Sequence, residues 1–175
     1  MDLLITGAGS IGIAMAAMLR STGANVSLLA RGATRDAILA DGVHKTGLFG
    51  DLDFSASDFT VSDDYGAFPS ASFDYILRPT GKLVIIQNGW GNDREYRKYF
   101  DKEQVCSARI ITGFQRLNPN TSKVTVYTDP MLLGNLYDLD TAPLQPLAEA
   151  ITRGGLPCEC TDNVGKALWA KMIYN

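Results

Sequence analysis

Short apolar runs alternate along this chain with glycine-marked breaks and with longer amphipathic stretches. Residues 2–6, DLLIT, have the pattern of a buried strand. SIGIAMAAMLRSTG (10–23) is rich in Ala, Met and Leu and predicts a helix that Gly23 ends. NVSLLA (25–30) predicts a second strand, so the chain opens as a βαβ unit. TRDAILADG (34–42) reads as a short helix with a glycine stop, and residues 43–62 alternate around turn glycines, predicting strand pairs. FDYIL (73–77) and KLVIIQN (82–88) are buried-strand patterns, and NDREYRKYF (92–100) a helical one. Further strands are expected at 104–113, 122–128 and 131–136, then a helix over 142–155. LPCECTD (156–162) is a strand-like link into a last helix, NVGKALWAKMIYN (163–175). The order is that of an α/β fold with a mostly parallel sheet. There is no internal repeat and no low-complexity linker.

One connection is too short for that fold. FDYIL and KLVII are separated only by RPTG, whereas parallel neighbours need a crossover of about a dozen residues or more. Either the two runs form an antiparallel hairpin around Pro79 and Gly81, or a crossover is absent from this chain.

The chain has 175 residues, the size of about one domain, with 46% apolar and 20% charged residues. Sixteen Lys and Arg stand against 19 Asp and Glu, a net charge of −3. No basic stripe is present, which argues against nucleic acid as a partner. No run reaches the apolar length of a membrane span, and the N-terminus lacks the basic start of a targeting segment, so a cytoplasmic protein is expected. Cys106, Cys158 and Cys160 form neither a redox nor a zinc spacing, and the only histidine, His44, is far away in sequence. Reduced structural thiols and no metal are expected.

The chemistry starts at Gly7, Gly9 and Gly12, a G-x-G-x-x-G that follows a strand and opens a helix. In that setting Gly7 allows the tight turn, Gly9 lets backbone approach a pyrophosphate, and Gly12 lets the helix pack closely on the strand. The helix N-terminus at Ala8, Ser10 and Ile11 offers N–H groups to phosphate oxygens. At the end of the second strand an acidic residue would hold the ribose hydroxyls of NAD. This chain has LLARGATR instead, which places Arg31 where a 2′-phosphate would lie, with Arg35 able to add charge. The expected cofactor is NADP(H).

Two further stretches complete the site. In QNGWGN (87–92), Asn88 sits where a strand ends, at the edge of an open α/β sheet where ligands bind. Its amide both donates and accepts, which suits a carboxamide or a hydroxyl. In the last helix, Lys171 and Asn175 are four residues apart and so share a face, with Ala167 one turn earlier and Leu168, Trp169 and Met172 around them. A lysine there is either a snorkelling surface residue or a proton donor. The Tyr-x-x-x-Lys pair of short-chain dehydrogenases is absent: the residues four beyond Tyr75, Tyr96 and Tyr127 are Pro79, Phe100 and Met131.

GAGSIG (7–12), LLARG (28–32), QNGWGN (87–92) and LWAKMIYN (168–175), in that order, resemble the N-terminal part of the ketopantoate reductase family. The resemblance implies an α/β, Rossmann-like doubly wound sheet over residues 1–162. Residues 163–175 would then be the first turns of an interdomain helix leading into an all-helical C-terminal domain. It implies NADPH-dependent reduction of a 2-oxo acid, 2-dehydropantoate to (R)-pantoate, on the route to pantothenate and coenzyme A. By position, Lys171 matches the family's catalytic lysine, Asn175 a substrate-binding asparagine, Asn88 the asparagine touching cofactor and substrate, and Arg31 the arginine reading the 2′-phosphate. The family's helical crossover between the strands matching FDYIL and KLVII has no counterpart here, nor does the cofactor-holding lysine within it. The alternative is a non-catalytic NADP(H)-binding remnant of such an enzyme. Trp169 and Met172 on an uncovered helix predict either self-association into a homo-oligomer or poor solubility.

Overall fold

The computed structural model of the chain describes residues 1–68, 73–75 and 81–174. Its first strand, β1 (Asp2–Thr6), leads into α1 (Ser10–Arg20) and then β2 (Asn25–Leu29), which pairs with β1 in parallel, Leu3 opposite Val26. The opening βαβ unit is therefore present as expected. Next come α2 (Gly32–Asp41), β3 (Val43–Gly47), β4 (Leu52–Phe54) and β5 (Phe59–Ser62). The expected strand pairs over 43–62 form only in part. β3 and β4 are an antiparallel pair, but β5 joins β2 in parallel, Val26 opposite Phe59. A parallel return to β2 is open to β5 because α2, β3 and β4 together supply the crossover.

Two four-stranded sheets follow. β6 (Leu83–Ile85) and β7 (Val105–Arg109) are parallel, β10 (Met131–Gly134) is antiparallel to β7, and β11 (Cys158–Cys160) is parallel to β10. The second sheet has the order β4-β3-β9-β8, with β8 (Thr112–Asn118) and β9 (Thr121–Tyr127) a long antiparallel hairpin. The run 104–113, expected as one strand, thus divides: β7 belongs to one sheet and β8 to the other.

Tyr75 joins the two halves of the main sheet. It bridges Leu3 on one side and Lys82 on the other, both in parallel. The order across that sheet is therefore β5-β2-β1, then Tyr75, then β6-β7-β10-β11. The antiparallel hairpin considered for 73–86 is not what these residues form, although only residues 76–81 separate Tyr75 from Lys82. Ile76 and Leu77 of the expected strand, and the RPT of its connection, lie outside the described residues.

The core explains why α1 shows no polar face. Every residue from Gly12 to Leu19 is buried, because α1 lies between the main sheet and the β4-β3-β9-β8 layer and also packs on α4 (Gln145–Arg153). A helix that is apolar all round is one covered all round. Ala14, Ala16 and Ala17 keep it thin enough to fit. Lys45 on β3 is fully buried beneath α1; its ammonium donates to the carbonyls of Leu48 and Gly50 and lies 5.9 Å from the Phe49 ring centroid. The expected helix over 92–100 is shorter, α3 (Asn92–Tyr96), because its last turn tightens into three-residue bonds from Lys98 to Glu95 and Tyr99 to Tyr96. The last helix, α5 (Val164–Tyr174), packs on β7 and β10.

Candidate cofactor and substrate site

β2, β1, Tyr75, β6 and β7 run side by side in parallel, so their carboxyl ends share one edge. At about 4.8 Å per strand, that edge spans roughly 19 Å from β2 to β7. Along it stand Arg31 just past β2, the glycine turn after β1, Asn88 past β6, and Arg109 at the end of β7.

The glycine turn has the shape its spacing implies. Gly7 has φ +99°, which a side chain would strain, and its N–H donates to the Leu29 carbonyl at 3.1 Å. A Cβ on Gly12 would stand 2.1 Å from the Gly7 carbonyl oxygen, so α1 can sit this close to the turn only with glycine there. A Cβ on Gly9 would meet nothing within 4 Å, so the space in front of Gly9 is open. Gly9 is the N-cap of α1, no side chain caps it, and no acidic residue stands in the first turn. Ala8 is buried, while Ser10 and Ile11 are half-buried at the helix start. This is an open, uncapped, acid-free helix N-terminus, which fits a pyrophosphate.

Arg31 is the N-cap residue of α2 and is exposed, and no hydrogen bond or ion pair of its side chain occurs among the described residues. Arg35 is differently placed: it stands 3.6 Å from Asp36 and 3.8 Å from Asp63, ion pairs without a hydrogen bond that offset its charge.

The other end of the edge brings together residues far apart in sequence. The Lys171 ammonium donates to Asn88 Oδ1 at 2.7 Å, across 83 positions. Gln87, Gly89, Ala108 and Leu168 line the cleft around that pair. Burial pushes the Lys171 pKa below the ordinary lysine value, and the nearby Arg109 guanidinium pushes it further down. The Asn88 turn is fixed from both sides. Asn92 Nδ2 donates to the Asn88 carbonyl at 3.1 Å, and the Tyr137 hydroxyl donates to Asp93 Oδ2 at 2.7 Å. Burial, then the Asp93 carboxylate, push the Tyr137 hydroxyl up to about 12, so it stays a donor at ordinary pH. Asn175 lies outside the described residues.

Three features of this end were not anticipated from the sequence. Arg109 is buried, with Nη1 3.0 Å from Asp129 Oδ2. An arginine at the end of a buried strand was a visible signal, but its neighbour Lys171 was not. Trp90, from the Asn88 turn, lies 5.1 Å from Trp169 of α5, ring centre to ring centre, and ties that turn to the lysine helix. Tyr137 and Asp93 are 44 positions apart, with no pattern linking them. Among the described residues no group of three or more His, Cys, Asp or Glu could hold a metal, and no helix is long and apolar enough to cross a membrane. Cys106 and Cys158 are buried, and loss of hydration pushes their thiols up to about 11 and about 12.

Known proteins share this fold. A curated 2-dehydropantoate 2-reductase from Aquifex aeolicus (strain VF5) is 27% identical over 191 aligned positions, which cover 100% of this chain and 60% of that protein. The crystal structure of 2-dehydropantoate 2-reductase from Geobacter metallireducens GS-15 superposes with a TM-score of 0.86 at 21% identity, over 100% of this chain and 62% of the other. A ternary structure of D-mandelate dehydrogenase with NADH and anilino(oxo)acetate gives a TM-score of 0.78 at 18% identity, over 98% and 60%. The chain thus spans about three fifths of the length of these relatives. The sequence profile described as Ketopantoate reductase PanE/ApbA matches residues 3–77 and again 67–137, most of the chain, including the glycine turn, Arg31 and Asn88; the chain belongs to that family.

Proposed function

We propose that this chain is the cofactor-binding portion of an NADPH-dependent 2-oxo acid reductase, and that its substrate is 2-dehydropantoate, reduced to (R)-pantoate. One observation carries the reading: the hydrogen bond from Lys171 to Asn88 at the carboxyl edge of the sheet, on the same edge as the glycine turn. In this reading Gly7, Ala8, Gly9, Ser10, Ile11 and Gly12 hold the pyrophosphate and Arg31 the 2′-phosphate. Asn88 meets both the nicotinamide and the substrate, and Asn175 binds substrate. Residues 1–162 form the NADP-binding unit and 163–175 begin the connection to a second, helical one. The reaction belongs to the cytoplasm and to pantothenate synthesis.

When bound, NADPH supplies the hydride that adds to the ketone carbon. The chain's own residues handle the charge and the proton. As negative charge grows on the ketone oxygen, the Lys171 ammonium stabilises it and transfers a proton to it, leaving a hydroxyl and a neutral amine that regains its proton from solvent. Asn88 Oδ1 takes one of the three ammonium N–H bonds, which fixes the direction of the other two. Its Nδ2 remains a donor for substrate or carboxamide. The lowered Lys171 pKa moves the group towards neutral working pH, where a general acid transfers its proton most effectively. Trp169, Met172 and Ile173 are exposed on α5, which supports self-association through that helix. Sedimentation showing only monomer would count against that contact.

The test is conversion of 2-dehydropantoate to pantoate with NADPH, compared between the parent chain, Lys171→Ala and Asn88→Ala. Product from the parent, and a loss of about 100-fold or more in Lys171→Ala with NADPH still bound, is the expected outcome. Equal product from the parent and Lys171→Ala would overturn the assignment of the acid.

A further inference from the structure

The β8–β9 hairpin places a second cation against α2 that no sequence motif announces. Arg116 of β8 crosses 82 positions to donate through Nη2 to Thr34 Oγ1, in the first turn of the helix that Arg31 caps. The same guanidinium donates through Nη2 to the Pro119 carbonyl and through Nε to the Asn118 carbonyl at 3.3 Å. All three acceptors are neutral. Arg20, Arg35 and Arg109 each face a carboxylate, at 3.1, 3.6 and 3.0 Å, whereas no carboxylate faces Arg116 among the described residues. Asp36 and Asp63, beside this end of α2, lie 3.6 and 3.8 Å from Arg35, which offsets their charge.

Of the five N–H bonds of Arg116, the contacts to Thr34, Pro119 and Asn118 occupy those on Nη2 and Nε, leaving the two on Nη1 for another acceptor. The Thr34 hydroxyl accepts from Arg116, so its own proton is also free to be donated. A fixed, uncompensated guanidinium, an oriented hydroxyl and the free Arg31 thus gather at one end of α2. That set suits a dianionic phosphate, which takes several charge-assisted hydrogen bonds at once.

We propose that Arg116, with Thr34, is a specificity residue for the 2′-phosphate of the cofactor, working opposite Arg31, and that the charge expected of Arg35 comes from Arg116 instead. This rests on the NADP(H) reading above. It gives the β8–β9 hairpin a role in cofactor choice as well as in covering α1.

The experiment is calorimetric titration of the 175-residue chain and of Arg31→Ala, Arg35→Ala, Arg116→Ala and Arg116→Lys. Each is titrated with 2′,5′-ADP, which carries the extra phosphate, and with 5′-ADP, which lacks it. Thermal melts accompany every variant. Arg116→Ala is expected to weaken 2′,5′-ADP about tenfold or more and 5′-ADP less than about twofold, with Arg116→Lys recovering part of the loss. Arg35→Ala should change neither by more than about twofold. If Arg31→Ala loses the preference and Arg116→Ala keeps it, the role of Arg116 is refuted while the NADP(H) reading stands. If Arg116→Ala weakens both ligands equally with a lowered melting temperature, the residue only clamps the hairpin and the proposal is likewise refuted. A parent chain with no preference for 2′,5′-ADP would overturn the NADP(H) reading, and this inference with it.

Discussion

Gly12→Ala and Gly9→Ala separate two duties that the glycine motif combines. At Gly12 the added Cβ would stand 2.1 Å from the Gly7 carbonyl oxygen and 3.2 Å from its carbon, both backbone atoms that no rotamer change can move. Relief requires α1 to shift away from the β1 turn, and α1 is buried from residue 12 to residue 19 between two layers. Overpacking of this kind costs about 1–3 kcal/mol. For a chain of this length each kcal/mol is worth about 2–4 °C of melting temperature, so a fall of roughly 2–12 °C is expected. Dinucleotide binding should weaken as well, since the turn itself opens. At Gly9 the added Cβ meets nothing within 4 Å and φ is −78°, which any residue adopts. Gly9→Ala should therefore cost no more than about 1 kcal/mol, the order of an N-cap effect. Yet the methyl would fill the open space through which the proposed pyrophosphate approaches. The assay is a thermal melt by circular dichroism paired with an NADPH fluorescence titration. Expected are a lower melting temperature and weaker binding in Gly12→Ala, and a near-parental melt with binding lost in Gly9→Ala. Parental NADPH affinity in Gly9→Ala would refute the placement of the pyrophosphate.

Other consequences follow from single contacts. Arg109→Met removes a cation that depresses Lys171, so the Lys171 pKa should rise, as read by NMR of the labelled lysine; an unchanged or lower value would refute the coupling. If Lys171 is the proton donor, the chemical step should fall off as pH rises through its lowered pKa, and in Arg109→Met that fall should move to higher pH. Tyr137→Phe deletes the 2.7 Å bond to Asp93 and should cost about 1 kcal/mol in denaturant melts, with weaker NADPH binding because the Asn88 turn loosens. At His44 burial disfavours the charged ring, but the Asp53 hydrogen bond, the Asp41 carbonyl and both carboxylates outweigh it and raise the pKa above 6.5. The stability this adds is complete below the unfolded value of 6.5 and is lost as pH climbs through the raised one. The melting-temperature difference between the parent and His44→Gln should therefore shrink from pH 5.5 to pH 8.5; a difference that grows would show the opposite sign.

Much of the fold was legible because its signals are local. The β1–α1–β2 unit could be read from an apolar run, three spaced glycines and an Ala- and Met-rich helix, and Gly7 and Gly12 turn out to be required by a positive φ and a backbone contact. What could not be read depends on partners remote in sequence. β5 reads as a neighbour of β4, yet it pairs with β2, because pairing is decided by the crossover that α2 and the β3–β4 pair provide. Residues 104–113 look continuous, but β7 and β8 belong to different sheets. Lys45, a charged residue in an alternating strand, gives no hint that it is fully buried with its ammonium capped by loop carbonyls. At the site, Asn88 and Lys171 could each be singled out from spacing and resemblance. Their hydrogen bond, the Trp90–Trp169 contact that supports it and the nearby Arg109 charge arise only when the fold brings distant segments together. The same is true of Arg116, which lies in a polar hairpin with no motif around it.

The most direct test of the account is a fluorescence titration of the 175-residue chain with NADPH and with NADH, followed by 2-dehydropantoate at saturation. NADPH should bind well ahead of NADH, and the bound NADPH signal should be lost when the oxo acid is added. Equal affinity for the two cofactors, or binding of neither, would contradict the NADP(H) reading, whereas tightly bound NADPH whose signal is unchanged by the oxo acid would contradict only turnover by this portion of the enzyme.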